Sequence, residues 1–296
     1  MKSKKILVHL LIAAIVLNLV GIVAGLASFN LNHSFDFVNQ YGETIKMWGY
    51  GLYKSDSYFK APIFIGSDFT MLIVAIPLLL LSIYRFRRQG SQKNLVLLMA
   101  ATATLLYYNF SQAFGVTYNQ LHLFYIATLS LTFYSLILCF TLIEPEKVAP
   151  SLSEFPLTKT LKCFLVIAGL SLFIAWLPDI VASLVSGKPL SMLQVYTTEL
   201  TYVLDMGIVS PFIFITLFLL VRSNSWGYVL LPVLLVLCSI VGIMVIFQSI
   251  FQVSAGISVP IPALLTKVLI FVLLSGVSFK LSRSYFRGFN EGTLLD

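Results

Sequence analysis

The chain is poor in charge. Only 10% of its residues are Asp, Glu, Lys or Arg, against roughly 25% in an ordinary soluble domain, while apolar residues make up 58%. That balance excludes a solvated globular surface and marks a membrane protein. Cysteine and histidine are also scarce, at three each. Cys139, Cys163 and Cys238 lie far apart in apolar runs with no CxxC pair, which argues against a metal cluster or thiol exchange. His9, His33 and His122 form no HExxH or His/Cys cluster, so a zinc enzyme is disfavoured and no cofactor is expected.

What the chain does have is long apolar runs. A bilayer core about 30 Å thick takes roughly 20 apolar residues per helix, and lipid leaves no partner for open sheet edges. Eight runs qualify, near Ile6–Ser28, Ile63–Tyr84, Asn94–Gly115, Leu121–Leu142, Leu161–Val185, Leu200–Val221, Gly227–Ile250 and Pro262–Leu281. The expected fold is an all-α, polytopic transmembrane bundle of about eight helices, with residues 1–296 as a single membrane domain. The first run follows a basic start and could be read as a signal peptide, but it exceeds the about 7 to 15 residues of a signal h-region. A retained first helix is favoured.

Lys and Arg set the orientation. With the N-terminus inside, the inner segments collect Lys2, Lys4 and Lys5, then Arg85, Arg87, Arg88 and Lys93, then Lys147, Lys159 and Lys162, then Arg222, Lys280, Arg283 and Arg287. The outer segments hold Lys46, Lys54, Lys60 and Lys188. Both termini are therefore expected on the cytoplasmic side, with the chain crossing the membrane several times. The net charge of +7 is an orientation signal, so the lipid bilayer is the expected partner and nucleic acid is not.

The outer segment from Phe29 to Pro62 is rich in aromatics and glycine and lacks the composition of disorder. It is expected to pack as a small cap, with short strands near "ETIKMWGYGLY". The stretches "SDFTMLIVAIPLLLLSIYRFRRQG" and "LDMGIVSPFIFITLFLLVRSNSWG" share an acid, a mid-helix proline and a basic, glycine-ended turn. They make 63–142 and 200–281 candidate halves of a parallel pseudo-repeat.

Intramembrane charges are costly and normally face protein or a watery cavity. Asp68, Asp205 and Lys267 lie at similar depth near the outer side, with Asn109, Gln112, Gln248, Tyr108 and Tyr202. Together these eight form a candidate ligand-binding set for an outward-facing polar pocket, taking an unknown small molecule or lipid. Two plainer readings stand beside it: Asp68 caps a helix N-terminus, and Lys267 snorkels to the interface. No residue is marked as catalytic and no metal site is indicated.

The segments "GYGLYKSDS", "IGSDFTMLIVAIPLLL", "NQLHLFYIATLSLTFYSLIL", "YVLDM" and "SWGYVLLPVLL" resemble a family of bacterial polytopic integral membrane proteins with no assigned activity. The resemblance runs over about Gly49 to Leu235. It implies a bacterial cytoplasmic-membrane protein with acids at the positions of Asp56, Asp68 and Asp205, and it carries no catalytic assignment. Small-molecule transport or binding is the leading expectation. A membrane-embedded enzyme acting on a lipid or lipid-linked substrate, and a non-catalytic sensor, assembly factor or scaffold, are the alternatives.

Overall fold

The computed structural model describes residues 2–152, 155, 157–258 and 268–290. It is an all-α bundle. The helices are α1 (Lys2–Leu26), α2 (Ala61–Thr70), α3 (Ile76–Arg88), α4 (Gln92–Gly115), α5 (His122–Leu142), the short α6 (Pro145–Val148), α7 (Lys159–Ser186), α8 (Leu200–Leu204), α9 (Ser210–Val221), α10 (Ser225–Ser254) and α11 (Ile270–Arg287). A π turn, Met71–Ala75, joins α2 to α3, and a second, Asp205–Val209, joins α8 to α9. Among the described residues six continuous helices are long and apolar enough to cross a membrane: Lys2–Leu26, Ala61–Arg88, His122–Leu142, Lys159–Ser186, Leu200–Val221 and Ser225–Ser254. The protein is thus a membrane protein built from helices.

The helix starts follow local chemistry. Ser91, Thr158 and Asn224 each accept a backbone N–H from the first turn of α4, α7 and α10, satisfying donors that a helix start leaves orphaned. Pro62, Pro77, Pro145 and Pro211 stand within the first two positions of α2, α3, α6 and α9, where a missing N–H costs nothing in an isolated helix. Pro77 and Pro211, however, interrupt continuous spans. In both, a five-residue π turn ends two positions before the proline. The proline ring would clash with the carbonyl four residues back, and widening the preceding turn relieves it.

One end of the bundle carries Lys2, Arg88, Lys159 and Arg287, the other the cap. The central helix is α10, in which every residue from Val229 to Leu237 is buried. It packs against α2, α4, α9 and α11. Packing order repeats along the chain. The first long helix packs on the second and fourth, α1 on α2 and α5, and the fifth packs on the sixth and eighth, α7 on α9 and α11.

Without a hydrophobic drive between helices in lipid, small residues and buried hydrogen bonds bring backbones together. A Cβ at Gly66 would sit 2.6 Å from the Gln248 backbone, so α2 and α10 touch there main chain to main chain. At Gly242 the Ser275 side chain of α11 fills the gap, and its hydroxyl donates to the Ser239 carbonyl of α10 at 2.6 Å. Ser210 of α9 donates to the Gly169 carbonyl of α7 at 2.9 Å.

The cap is an antiparallel hairpin, β1 (Phe35–Val38) and β2 (Thr44–Met47), with Phe35 opposite Met47, followed by a compact loop. Its core holds Trp48, Leu52, Tyr53, Phe64, Ile65 and Tyr196. Trp48 donates its indole N–H to the Ser28 carbonyl at 2.7 Å, tying the loop to the end of α1. Gly49 has φ +80°, and a Cβ there would meet the His33 carbonyl oxygen, so the turn after β2 needs glycine.

Gly66→Ala should destabilise the bundle by about 1 to 3 kcal/mol, because the clash is with backbone and no side chain can swing away. Gly276→Ala in α11 meets nothing within 4 Å and should gain roughly 0.5 to 1 kcal/mol. Thermal unfolding of the two variants in one detergent checks both, and equal shifts would remove close α2–α10 packing as the cause.

Candidate functional site

A cavity of about 250 Å³ lies between α2, α4, α7, α8, α10 and α11, just under the roughly 300 to 1,000 Å³ usual for small-molecule sites. Its wall includes Lys60, Tyr107, Tyr108, Trp176, Glu199, Tyr202, Asp205 and Gln248. A second cavity of about 40 Å³, lined by Ser171, Ile213 and Cys238, continues toward the basic end and shares Asp205, Tyr107, Val241 and Phe271 with the first. Asp205 thus stands where the two meet.

Asp205 is buried at the first position of the π turn Asp205–Val209. Its Oδ1 accepts the Tyr107 hydroxyl at 2.9 Å and its Oδ2 the Trp176 indole N–H at 2.9 Å. Trp176 stacks on Tyr202 with ring centroids 4.7 Å apart, and Tyr202 donates to Asp179 at 2.7 Å. Gln248 reaches across to Ser67 at 2.8 Å. Asp205, Tyr108, Tyr202 and Gln248 are therefore brought to one cavity.

Asp68 lies elsewhere. It is seven residues inside α2, so it does not cap the helix, and it is fully buried outside the cavity lining. Its carboxyl accepts from Tyr108 at 2.6 Å, from Tyr53 of the cap at 2.7 Å and from Gln112 at 3.4 Å. A Cβ on Gly25 of α1 would overlap it. Gln112 belongs to this cluster behind Tyr108. Asn109 points the other way, donating to the Thr128 carbonyl and the Thr132 hydroxyl of α5. Lys267 lies outside the described residues. No group of three or more His, Cys, Asp or Glu capable of holding a metal occurs among the described residues.

Several residues of the site were missed in the sequence. Lys60 and Glu199 form an ion pair at 2.6 Å in the cavity wall, with both side chains largely buried. Burial presses the Lys60 amine below its usual range, against the opposing pull of Glu199. Each stands just before a helix start, 139 residues apart, a spacing that no local pattern reveals. Trp176 offered only its type as a signal: an indole near mid-helix needs an acceptor when buried.

Asp56, in the cap, is wholly buried. Its Oδ1 accepts the Thr117 N–H at 2.9 Å and the Tyr196 hydroxyl at 2.9 Å, joining the cap loop to the α4–α5 turn and to a second loop, residues 187–199, between α7 and α8. Its Oδ2 has no hydrogen-bond partner among the described residues. Burial pushes this carboxyl up from 3.8 to about 7, opposed by the Thr117 and Tyr196 hydrogen bonds and by the Lys60 charge.

Comparison of the chain with protein-family models, with curated proteins and with solved structures finds no match.

Two outcomes follow from these clusters. Tyr108→Phe removes one donor from the buried Asp68 carboxyl and should cost about 1 to 3 kcal/mol in thermal unfolding; an unchanged midpoint would mean that the bond contributes nothing net. Docking of the cap should weaken as pH rises. Below about pH 4 Asp56 is protonated whether docked or free. Between 4 and about 7 only the free loop releases the proton, so docking loses at most roughly tenfold per pH unit and then levels off. Hydrogen exchange of residues 48–58, corrected for intrinsic rate, should show this in the wild type and lose it in Asp56→Asn. A flat profile in the wild type would refute the assignment.

Proposed function

We propose that the protein is a multi-pass protein of the bacterial inner membrane, with both termini cytoplasmic, that binds a small molecule at Asp205 and carries it across. The observation that carries this reading is the meeting of two cavities at Asp205, on the turn that Pro211 widens. Wide turns inside helices often mark functional sites, because the loosened hydrogen-bond ladder lets the two helix halves move separately. Here the half above, α8, carries Tyr202, and the half below, α9, carries Ile213. A change in their angle would reshape both cavities at once, since Tyr202 lines the first and Ile213 the second. The excess of Lys and Arg at the end away from the cap supports the orientation, and the buried Lys60–Glu199 pair joins the start of α2 to the start of α8 over the larger cavity.

Cys238 in the second cavity offers the test. In a Cys139→Ser, Cys163→Ser background, a membrane-impermeant trimethylammonium methanethiosulfonate is added to right-side-out or inverted vesicles. A carrier that alternates exposes Cys238 to reagent from either face. Modification from the cap face only would indicate a static binding pocket, and modification from neither would remove transport through these cavities. Native mass spectrometry of the gently purified protein should show a retained non-protein mass that Asp205→Asn loses.

A further inference from the structure

Resting on that reading of the cavity, the chemistry of its wall narrows what it holds. We propose that the cavity accepts a small organic cation, an amine or quaternary ammonium bearing an apolar group, with its charged nitrogen at Asp205 against the stacked rings of Trp176 and Tyr202.

Charge is the first argument. Of the charged side chains in the described wall, Lys60 and Glu199 neutralise each other at 2.6 Å. Asp205 has only neutral donors, the Tyr107 hydroxyl and the Trp176 indole, and no cationic side chain within ion-pair distance among the described residues. Among the described residues nothing would offset the repulsion between an anion and this carboxylate, whereas a cation is attracted to it. Each carboxylate oxygen takes one protein hydrogen bond and keeps a lone pair that an amine N–H can use, while a quaternary ammonium, which has no N–H, is held there by charge alone.

The rings give the second argument. Trp176 and Tyr202 stack at an interplanar angle of 22°, and Phe271 stands 6.3 Å from Trp176, centroid to centroid. Trp176 and Tyr107 turn their N–H and O–H edges to Asp205, so only the outer faces of the Trp176–Tyr202 stack can border a cation seated beside the carboxylate, where the negative potential of an aromatic face attracts it. The remaining wall from α10, Val241, Met244 and Val245, suits an apolar substituent. A volume of about 250 Å³ corresponds to roughly eight waters, which suits a small amine.

Asp68 serves as the internal comparison. It is equally buried, but three protein donors close around it and it lines no described cavity. Asp205, by contrast, has two protein donors and faces open space.

Benzyltrimethylammonium is the probe, set against the neutral N,N-dimethylbenzamide and the anionic phenylmethanesulfonate, each titrated calorimetrically into the full chain in detergent. The cation should bind at least about tenfold more tightly than either analogue, and Asp205→Asn should remove most of that preference while the thermal unfolding midpoint stays near the wild-type value. If that variant does not fold, Met244→Trp, which fills the cavity from α10 without touching the Asp205 donors, should abolish binding instead. Equal binding of the neutral amide, or tighter binding of the sulfonate, overturns the cation assignment and leaves a small-molecule pocket standing. No binding of any of the three overturns it as well, and if no non-protein mass is retained in native mass spectrometry the small-molecule reading falls with it.

Discussion

A carboxyl group inside an apolar bundle has to find its hydrogen-bond donors in the protein, since lipid offers none. Two consecutive residues of α4 supply them: Tyr107 donates to Asp205, and Tyr108 to Asp68. Neighbouring helix positions are about 100° apart around the axis, so adjacent tyrosines necessarily address different partners. One ties α4 to the second half of the chain, the other to the first. The position of α4 between the halves follows, as does the small-residue stretch Ala100, Ala101, Thr102 that lets it sit buried there.

The two acids are treated differently because their surroundings are. Around Asp68, Gly25 of α1 leaves room for the carboxyl, and Tyr53 descends from the cap to close it, so this cluster fastens cap to bundle. The α2–α10 interface beside it is tight, main chain against main chain at Gly66. Its counterpart in the packing order is where α8 meets α4, and that contact is looser: Gly115 faces the Leu200 side chain and the cavity opens beside it. A π turn and proline at the same spacing therefore accompany a sealed joint in one place and a chamber in the other, with the acid three residues before the turn in the first and opening the turn in the second.

The cap is held by polar contacts as much as by its aromatic core. Asp56 joins three loops through one oxygen, and Lys60 lies over the Tyr196 ring at 4.1 Å while pairing with Glu199. Buried ionic contacts of this kind add little net stability against desolvation, but they are directional, so they set which loops meet. They also concentrate titratable groups directly above the cavity.

The sequence by itself determined the class of solvent, the helices and the cap. Apolar runs of sufficient length leave helix as the only way to satisfy the backbone in lipid, and the aromatic, glycine-rich composition of residues 29–62 favoured a packed cap over a flexible loop. It also singled out Asp205, Tyr202, Tyr108 and Gln248 as polar groups at one depth, which the fold brings to one cavity. What only the tertiary structure decided is facing. Leu and Val look the same whether they meet lipid or protein, so nothing in "VLLPVLLVL" says that α10 is central. Nor does anything around Asp68 and Asn109 say that they turn away from the chamber. The Lys60–Glu199 pair and the Trp176–Asp205 bond join residues 139 and 29 positions apart. Such contacts exist only once helix rotation and loop path are fixed by packing, which depends on every neighbour at once rather than on any local pattern.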